Sequence, residues 1–196
     1  MGILIFASNN LHKLDEVRAI LNNTVTVKSL SEAEIVEEIP ETGNTLEENA
    51  FIKANHVYRK INSGCFADDT GLFVDSLNGM PGVFSARFAG ENCSFRDNID
   101  KLILLLKDKE NRKASFKTII CLIENGNEKY FDGTIKGTIS HSPRGTKGFG
   151  YDAVFIPDGF EKTFAELTAE EKNSLSHRAI AVERMKEYLS QQQVKR

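Results

Sequence analysis

The stretch FADDTGLFVDSLNGMPGVFSARFAG, residues 66–90, sets two carboxylates side by side, Asp68 and Asp69. Adjacent carboxylates repel and are poor strand formers. Yet Phe66, Ala67, Leu72, Phe73 and Val74 around them mark the segment as buried. Burying two unpaired carboxylates is costly, so a cation is expected beside them, a lysine or a metal ion. Mg²⁺ suits such a place. It prefers hard oxygen donors, is often held by one or two carboxylates, and completes its shell with water and substrate phosphate. A carboxylate near that ion can also orient and deprotonate a water. Glu37, Glu38 and Glu41 form a second acidic group in one loop, where a solvated loop is the competing explanation for Glu37 and Glu38.

Three further runs carry chemical potential. In SNNLHK (Ser8, Asn9, Asn10, Leu11, His12, Lys13) a turn opens a helix. Backbone N–H groups at a helix N-terminus bind phosphate, and Lys13 in the first turn adds charge. An ordinary capped helix with a surface lysine would read the same way, and no G-x-x-x-x-G-K loop is present. In GTKGFGYD, three glycines let the backbone approach a ligand closely. Phe149 and Tyr151 offer aromatic faces on either side of Gly150, next to Asp152; a flexible loop whose aromatics cover the core is the alternative. EKNSLSHR puts Lys172, His177 and Arg178 at the front of the last helix. Cations near a helix N-terminus oppose its dipole unless an anion binds there. Alone, a helix start capped by Ser174 or Ser176 also accounts for them.

The elements that must position these groups follow from periodicity and turn chemistry. GILIFA reads as a buried strand, and Asn10 caps the helix LHKLDEVRAIL. TVTVKSL is a second strand, and SEAEIVEEIPETGN an acidic loop. Thr45 and Glu48 form a capping box that opens a helix through about Arg59. CFADD and GLFVDSL read as short strands, or a strand and its extension. A helix with a strong apolar face runs from Phe95 to Leu106. Two long strands meet at Asn125-Gly126, a hairpin signal. GTKGFGYDAVFIP is a glycine loop and a strand, SHRAIAVERMKEYL the last helix, and QQQVKR a frayed tail. The fold class is α/β with a mixed, partly antiparallel sheet.

The 196 residues fit one domain or one domain with two lobes. A net charge of −3 argues against a general nucleic-acid binder. Cys65, Cys93 and Cys121 are widely spaced without C-x-x-C, which fits reduced thiols in a cytoplasmic protein rather than a zinc site or disulfide framework. No stretch is long enough to span a membrane, and MGILIFA lacks the basic lead-in and length of a signal peptide.

Taken in order, SNNLHK, ETGNTLEENAFIKA, ADDTGLFVDSLNGMPGVFSARFAG, GFGYDAVF, TFAEL and EKNSLSHR resemble the motifs of the inosine triphosphate pyrophosphatase family, the house-cleaning enzymes for dITP, ITP and XTP. The resemblance runs from about Ile3 to Ala181, and its Asp-Asp-Thr-Gly-Leu and Ser-His-Arg blocks are specific in combination. It implies one two-lobed domain over residues 1–196 with lobes flanking a substrate cleft, a homodimer, and Mg²⁺-dependent hydrolysis of a purine nucleoside triphosphate to the monophosphate and pyrophosphate. It also implies roles. Ser8 to Lys13 are similar to the triphosphate-binding turn. Glu41 and Asp69 match metal ligands, with Asp69 also the base. Lys53 and Thr70 match phosphate contacts. Phe149, Gly150, Tyr151, Asp152, Lys172, His177 and Arg178 match the set that recognises the base and closes over the nucleotide. Two departures stand out. The family's Thr-Gly-Asn is Ser8-Asn9-Asn10 here, where asparagine tolerates positive φ. Its Tyr-Asp-Pro is Tyr151-Asp152-Ala153. A pyrophosphatase for other modified nucleotides and a non-enzymatic nucleotide sensor are the competing readings. An RNA-binding module is disfavoured by the acidic balance.

Overall fold

The structure, a computed structural model, describes residues 2–22, 24–37 and 39–194, with backbone alone at 193 and 194. Its elements in chain order are β1 (Ile3–Phe6), α1 (Leu11–Leu21), β2 (Thr26–Lys28), α2 (Leu46–Ile61), β3 (Cys65–Val74), β4 (Pro81–Gly82), α3 (Phe95–Leu105), β5 (Lys113–Glu124), β6 (Asn127–Ile139), β7 (Phe155–Pro157), α4 (Ala169–Asn173) and α5 (His177–Val194). The sheet is mixed, in the order β2-β1-β3-β5-β6-β7, with β4 pairing to β3. The α/β class with a partly antiparallel sheet is therefore the fold observed.

Chain contacts divide the protein into two compact units. Unit one comprises Met1–Asp69, Thr118–Gly133 and His177–Arg196. Here β1 lies parallel to both β2 and β3, with Ile5 opposite Cys65 and Phe6 opposite Phe66. A strand paired in parallel on both edges is covered on both faces, which is why β1 is a continuous apolar run. Phe6 stacks on Phe66 with ring centroids 4.9 Å apart. The inner face of α1 (Leu14, Val17, Ile20, Leu21) joins Ala179, Val182, Met185 and Leu189 of α5 in the same core. Burying such side chains contributes about 1.5–3 kcal/mol each. One glycine sets the approach of α5. A Cβ on Gly133 would lie 2.0 Å from the His177 carbonyl oxygen, so β6 reaches the first turn of α5 only without a side chain.

Unit two comprises Thr70–Lys117 and Thr134–Ser176. Its β3 residues pair antiparallel with β4, and β6 pairs antiparallel with β7. Its core gathers Leu72 and Val74 of β3, Ile99 and Leu102 of α3, Phe116, Tyr151, Val154, Phe155 and Phe164.

Local chemistry matches most of the expected boundaries. Asn10 caps α1 by accepting from the Lys13 N–H, and Thr45 caps α2 by accepting from the Glu48 N–H. The α2 box is shifted, since the Glu48 carboxylate accepts from Asn44 N–H rather than from the cap residue. Asn125 and Gly126 both take positive φ, as a two-residue hairpin turn requires. Of the two readings of CFADD and GLFVDSL, a strand and its extension is the one observed, since β3 runs unbroken through both aspartates. Asn9 does not use the positive φ that asparagine tolerates. One expectation fails. QQQV is helical to the end of α5, while Lys195 and Arg196 lie outside the described residues.

Candidate active site

Side chains leave alternate faces of a strand, so Asp68 and Asp69 in mid-β3 face different surroundings. Asp68 is 1% exposed. Its Oδ1 accepts from Lys13 Nζ at 2.9 Å, and its Oδ2 from Arg178 Nε at 3.0 Å. Arg178 in turn donates from Nη1 to Glu16, one turn along α1 from Lys13. The four alternate in sign and join α1, β3 and the start of α5. Burial works to raise the Asp68 pKa, but Lys13, Arg178 and Lys53 outweigh it and hold the carboxyl well below the usual range. Asp68 is thus fixed as an anion.

The Asp69 side is built differently. Asp69 Oδ1 lies 3.5 Å from Lys53 Nζ, and Oδ2 accepts from Asn49 Nδ2 at 3.1 Å. Lys53 Nζ also donates to Glu41 Oε1 at 2.5 Å. Burial pushes the Asp69 pKa up and the Glu41 charge adds to it, against the pull of Lys53, Lys13 and Asn49, and the net direction is upward. For Glu41, burial acts upward but Lys53 prevails and lowers it. For Lys53, burial acts downward but Asp69 and Glu41 prevail and raise it. Of the two carboxylates, Asp69 is the one with excess proton affinity. A general base needs that property when it must work near neutrality.

The turn before α1 belongs to this unit. Ser8 Oγ accepts from the Asn10 N–H at 3.2 Å, and Asn10 Oδ1 from the Lys13 N–H at 3.2 Å. Asn9, Leu11 and His12 are exposed. A capped helix start with a lysine on its first turn is the arrangement that favours anions.

Unit two carries a second buried pair. Lys172 Nζ donates to Asp152 Oδ2 at 2.7 Å, and that oxygen also accepts from the Phe149 N–H at 2.9 Å. The same ammonium lies 4.9 Å from the Phe149 ring centroid. A Cβ on Gly148 would meet Asp152 Oδ2 at 2.2 Å, so the loop closes on its carboxylate only with glycine there. Gly150 also takes positive φ.

Several sequence expectations are corrected. Tyr151 does not offer an open ring: it is 4% exposed, sits in the apolar core, and its hydroxyl donates to the Ser85 carbonyl at 3.0 Å. Lys172 does not share a helix start with His177 and Arg178. Thr168 and Glu171 form their own capping box and open the short α4, which ends at Asn173. His177 and Arg178 begin α5, in unit one. Arg178 is fully buried and ion-paired to Asp68 and Glu16. Glu37 pairs with Lys60 on the surface, and Glu38 lies outside the described residues. Thr70, half-buried, is the first residue of unit two. Sequence reasoning missed Glu16 and Asn49. Glu16 lies one helical turn beyond Lys13, a spacing that shares a face. Nothing local marks Asn49.

A sequence model of the Ham1 family matches residues 4–188. The chain is 51% identical over 178 residues to a dITP/XTP pyrophosphatase of Flavobacterium psychrophilum, covering 91% of this chain and 94% of that one. It is 45% identical over 189 residues to the dITP/XTP pyrophosphatase of Bacillus subtilis, covering 94% and 96%. The solved structure of a HAM1 protein from Coxiella burnetii superposes with a TM-score of 0.90 at 38% identity, covering 97% of this chain and all of that one. With the family motif spanning nearly its whole length and relatives this similar, the chain belongs to the Ham1 family.

Proposed function

We propose that this protein hydrolyses non-standard purine nucleoside triphosphates (dITP, ITP and XTP) to the monophosphate and pyrophosphate, and so cleanses the nucleotide pool. The observation that carries the reading is the Asp69 carboxylate. It is buried, raised in pKa, and held beside Glu41 and Lys53, while its neighbour Asp68 is neutralised separately. The names of the similar proteins, dITP/XTP pyrophosphatases, support the substrate class.

In this reading Asp69 takes a proton from a water that attacks the α-phosphorus. The bond from that phosphorus to the bridging oxygen breaks, and pyrophosphate leaves. Lys13 on the turn from Ser8 to Lys13, with Lys53 and Thr70, holds polyphosphate oxygens. Glu41 and Asp69 fit a Mg²⁺ ion: both present carboxylate oxygen to the single ammonium of Lys53, so two hard donors already share one cation position. Among the described residues no group of three His, Cys, Asp or Glu converges. The remaining ligands would be water and phosphate, the usual arrangement for this ion. When bound, Mg²⁺ would neutralise charge on the phosphate oxygens.

For the base, Phe149 supplies a half-buried ring, Asp152 an acceptor, and Lys172 a donor. Hypoxanthine and xanthine carry a keto oxygen at C6 and a hydrogen on N1. Adenine has neither, so a donor facing C6 and an acceptor facing N1 would reject it. Residues 1–196 are proposed to act as one catalytic domain, in a homodimer, in the cytoplasm. The buried thiols of Cys65 and Cys121, both pushed up to about 12, fit inert reduced cysteines. No described helix is long and apolar enough to cross a membrane.

The test is pyrophosphate release from ITP, XTP, dITP, GTP, ATP and modified pyrimidine nucleotides, with and without Mg²⁺. ITP and XTP should lead ATP by about a hundredfold in kcat/KM. Equal rates for ATP would overturn the base assignment. No pyrophosphate from any purine would overturn the reaction. Light scattering should give twice the 21.9 kDa chain mass.

A further inference from the structure

Asn49 lies in the first turn of α2 and is 0% exposed. The two ends of its amide do different work. The Gly43 N–H donates to Oδ1 at 2.8 Å. A backbone N–H can only donate, so the atom facing it must be the amide oxygen, and the NH₂ is left facing Asp69. Nδ2 donates to Asp69 Oδ2 at 3.1 Å. One side chain thereby ties the segment that carries Glu41, two residues before Gly43, to the centre of β3. The approach is close: a Cβ on Gly43 would lie 2.8 Å from Asn49 Oδ1 and 2.6 Å from Glu48 Cβ. Aspartate has the shape but no donor, alanine has neither end, and serine is too short to reach both.

We propose that Asn49 is a positioning residue for the reaction: it aims the Asp69 carboxylate and pins the Glu41 segment against it, so that both carboxylates meet Lys53 from fixed directions. This rests on the reading of Asp69 as the reacting carboxylate. Partners that orient ligating carboxylates typically matter by about 10–100-fold when removed.

The experiment uses the full chain with Asn49→Ala, Asn49→Asp and Asp69→Asn. Steady-state kcat and KM are measured for ITP at saturating Mg²⁺. The affinity for Mn²⁺ without nucleotide is read by electron paramagnetic resonance, and thermal melting checks the fold. Asn49→Ala should lose about 10–100-fold in kcat and a similar factor in Mn²⁺ affinity, with KM changed less than about threefold. Asn49→Asp keeps the acceptor for Gly43, turns the donor to Asp69 into an oxygen and adds a like charge beside it, so its kcat should fall at least as far. A rate for Asn49→Asp within about twofold of wild type would mean that Asn49 merely holds the loop, and would overturn the proposal. So would unchanged Mn²⁺ affinity in Asn49→Ala. If Asn49→Ala does not fold, the isosteric Asn49→Asp decides alone. Asp69→Asn separates the two claims. If it stays active, the reading of Asp69 fails and the role of Asn49 with it. If it is inactive while both Asn49 variants behave as wild type, only the inference about Asn49 fails.

Discussion

Asp68 and Asp69 carry the same side chain on consecutive residues of one strand, and their surroundings make them opposites. On the Asp68 side one carboxylate meets two cations, Lys13 and Arg178, and Glu16 balances the second. On the Asp69 side one cation, Lys53, serves two carboxylates. On the first side the cations overcome burial and lower the Asp68 pKa; on the second, burial with the Glu41 charge overcomes Lys53 and raises the Asp69 pKa. The pleat makes this possible, since a step of one residue turns the side chain to the other face. A protein can thus place a permanent anion and a carboxylate of raised proton affinity in adjacent positions, with burial and the neighbouring charges deciding which is which.

The largest effect that would break this contrast is on turnover. Asp69→Asn is nearly isosteric and removes the proposed base, so kcat for ITP should fall by about 10²–10⁴-fold. A loss of only a few-fold would show that Asp69 is not the base.

Asp68→Asn should act mainly on stability. It leaves Lys13 and Arg178 without their shared anion, and breaking a buried pair costs about 3–5 kcal/mol. Denaturant unfolding would show this, with pH as the sharper probe. Asp68 has a folded pKa below its unfolded one, so its stabilisation is present above the ordinary aspartate range and is lost as pH falls through the folded value. The deficit of Asp68→Asn should therefore be full at neutral pH and shrink in acid. Asp69 has the opposite sign. Without metal, Asp69→Asn should stabilise at neutral pH, and that gain should fade below the unfolded aspartate value near 4. Melting curves of both variants from neutral to acid pH would check the pair. Parallel curves would remove the distinction.

Lys13→Ala should weaken triphosphate binding more than monophosphate binding, by about 1.5–3 kcal/mol for a shielded charge-assisted contact. Calorimetry with ITP and IMP would measure it, and equal losses would leave Lys13 as only the partner of Asp68. The smallest effect is expected at Tyr151→Phe, which removes the hydroxyl that reaches Ser85 and should cost about 1 kcal/mol of stability. Its kcat/KM for ITP should hardly change; a loss above about tenfold would return Tyr151 to the base site.

Much of this protein is legible from short-range chemistry. Asn10 before an apolar helical stripe, Thr45 three residues before Glu48, and Asn125-Gly126 between alternating runs each specify a local backbone state. The acidic pair in an apolar setting likewise calls for a cation beside it, whatever the fold. Where local rules mislead, tertiary packing wins. The two aspartates do not break β3, because Lys13 and Arg178 on one face and Lys53 and Asn49 on the other compensate their charge. Tyr151 turns inward because its ring fills the core and its hydroxyl finds a carbonyl.

What the sequence by itself determined is the set of elements and the residues able to do chemistry, since capping, turn formation and periodicity depend on neighbours within a few positions. Only the tertiary structure decided which aspartate is neutralised and which is poised. It also decided that Arg178 answers to Asp68 and Glu16, and that Asn49 links Gly43 to Asp69. Charge interactions fall off with distance in space and sharpen with burial. Both are set by folding contacts between residues as far apart as 16 and 178, a separation no local pattern encodes.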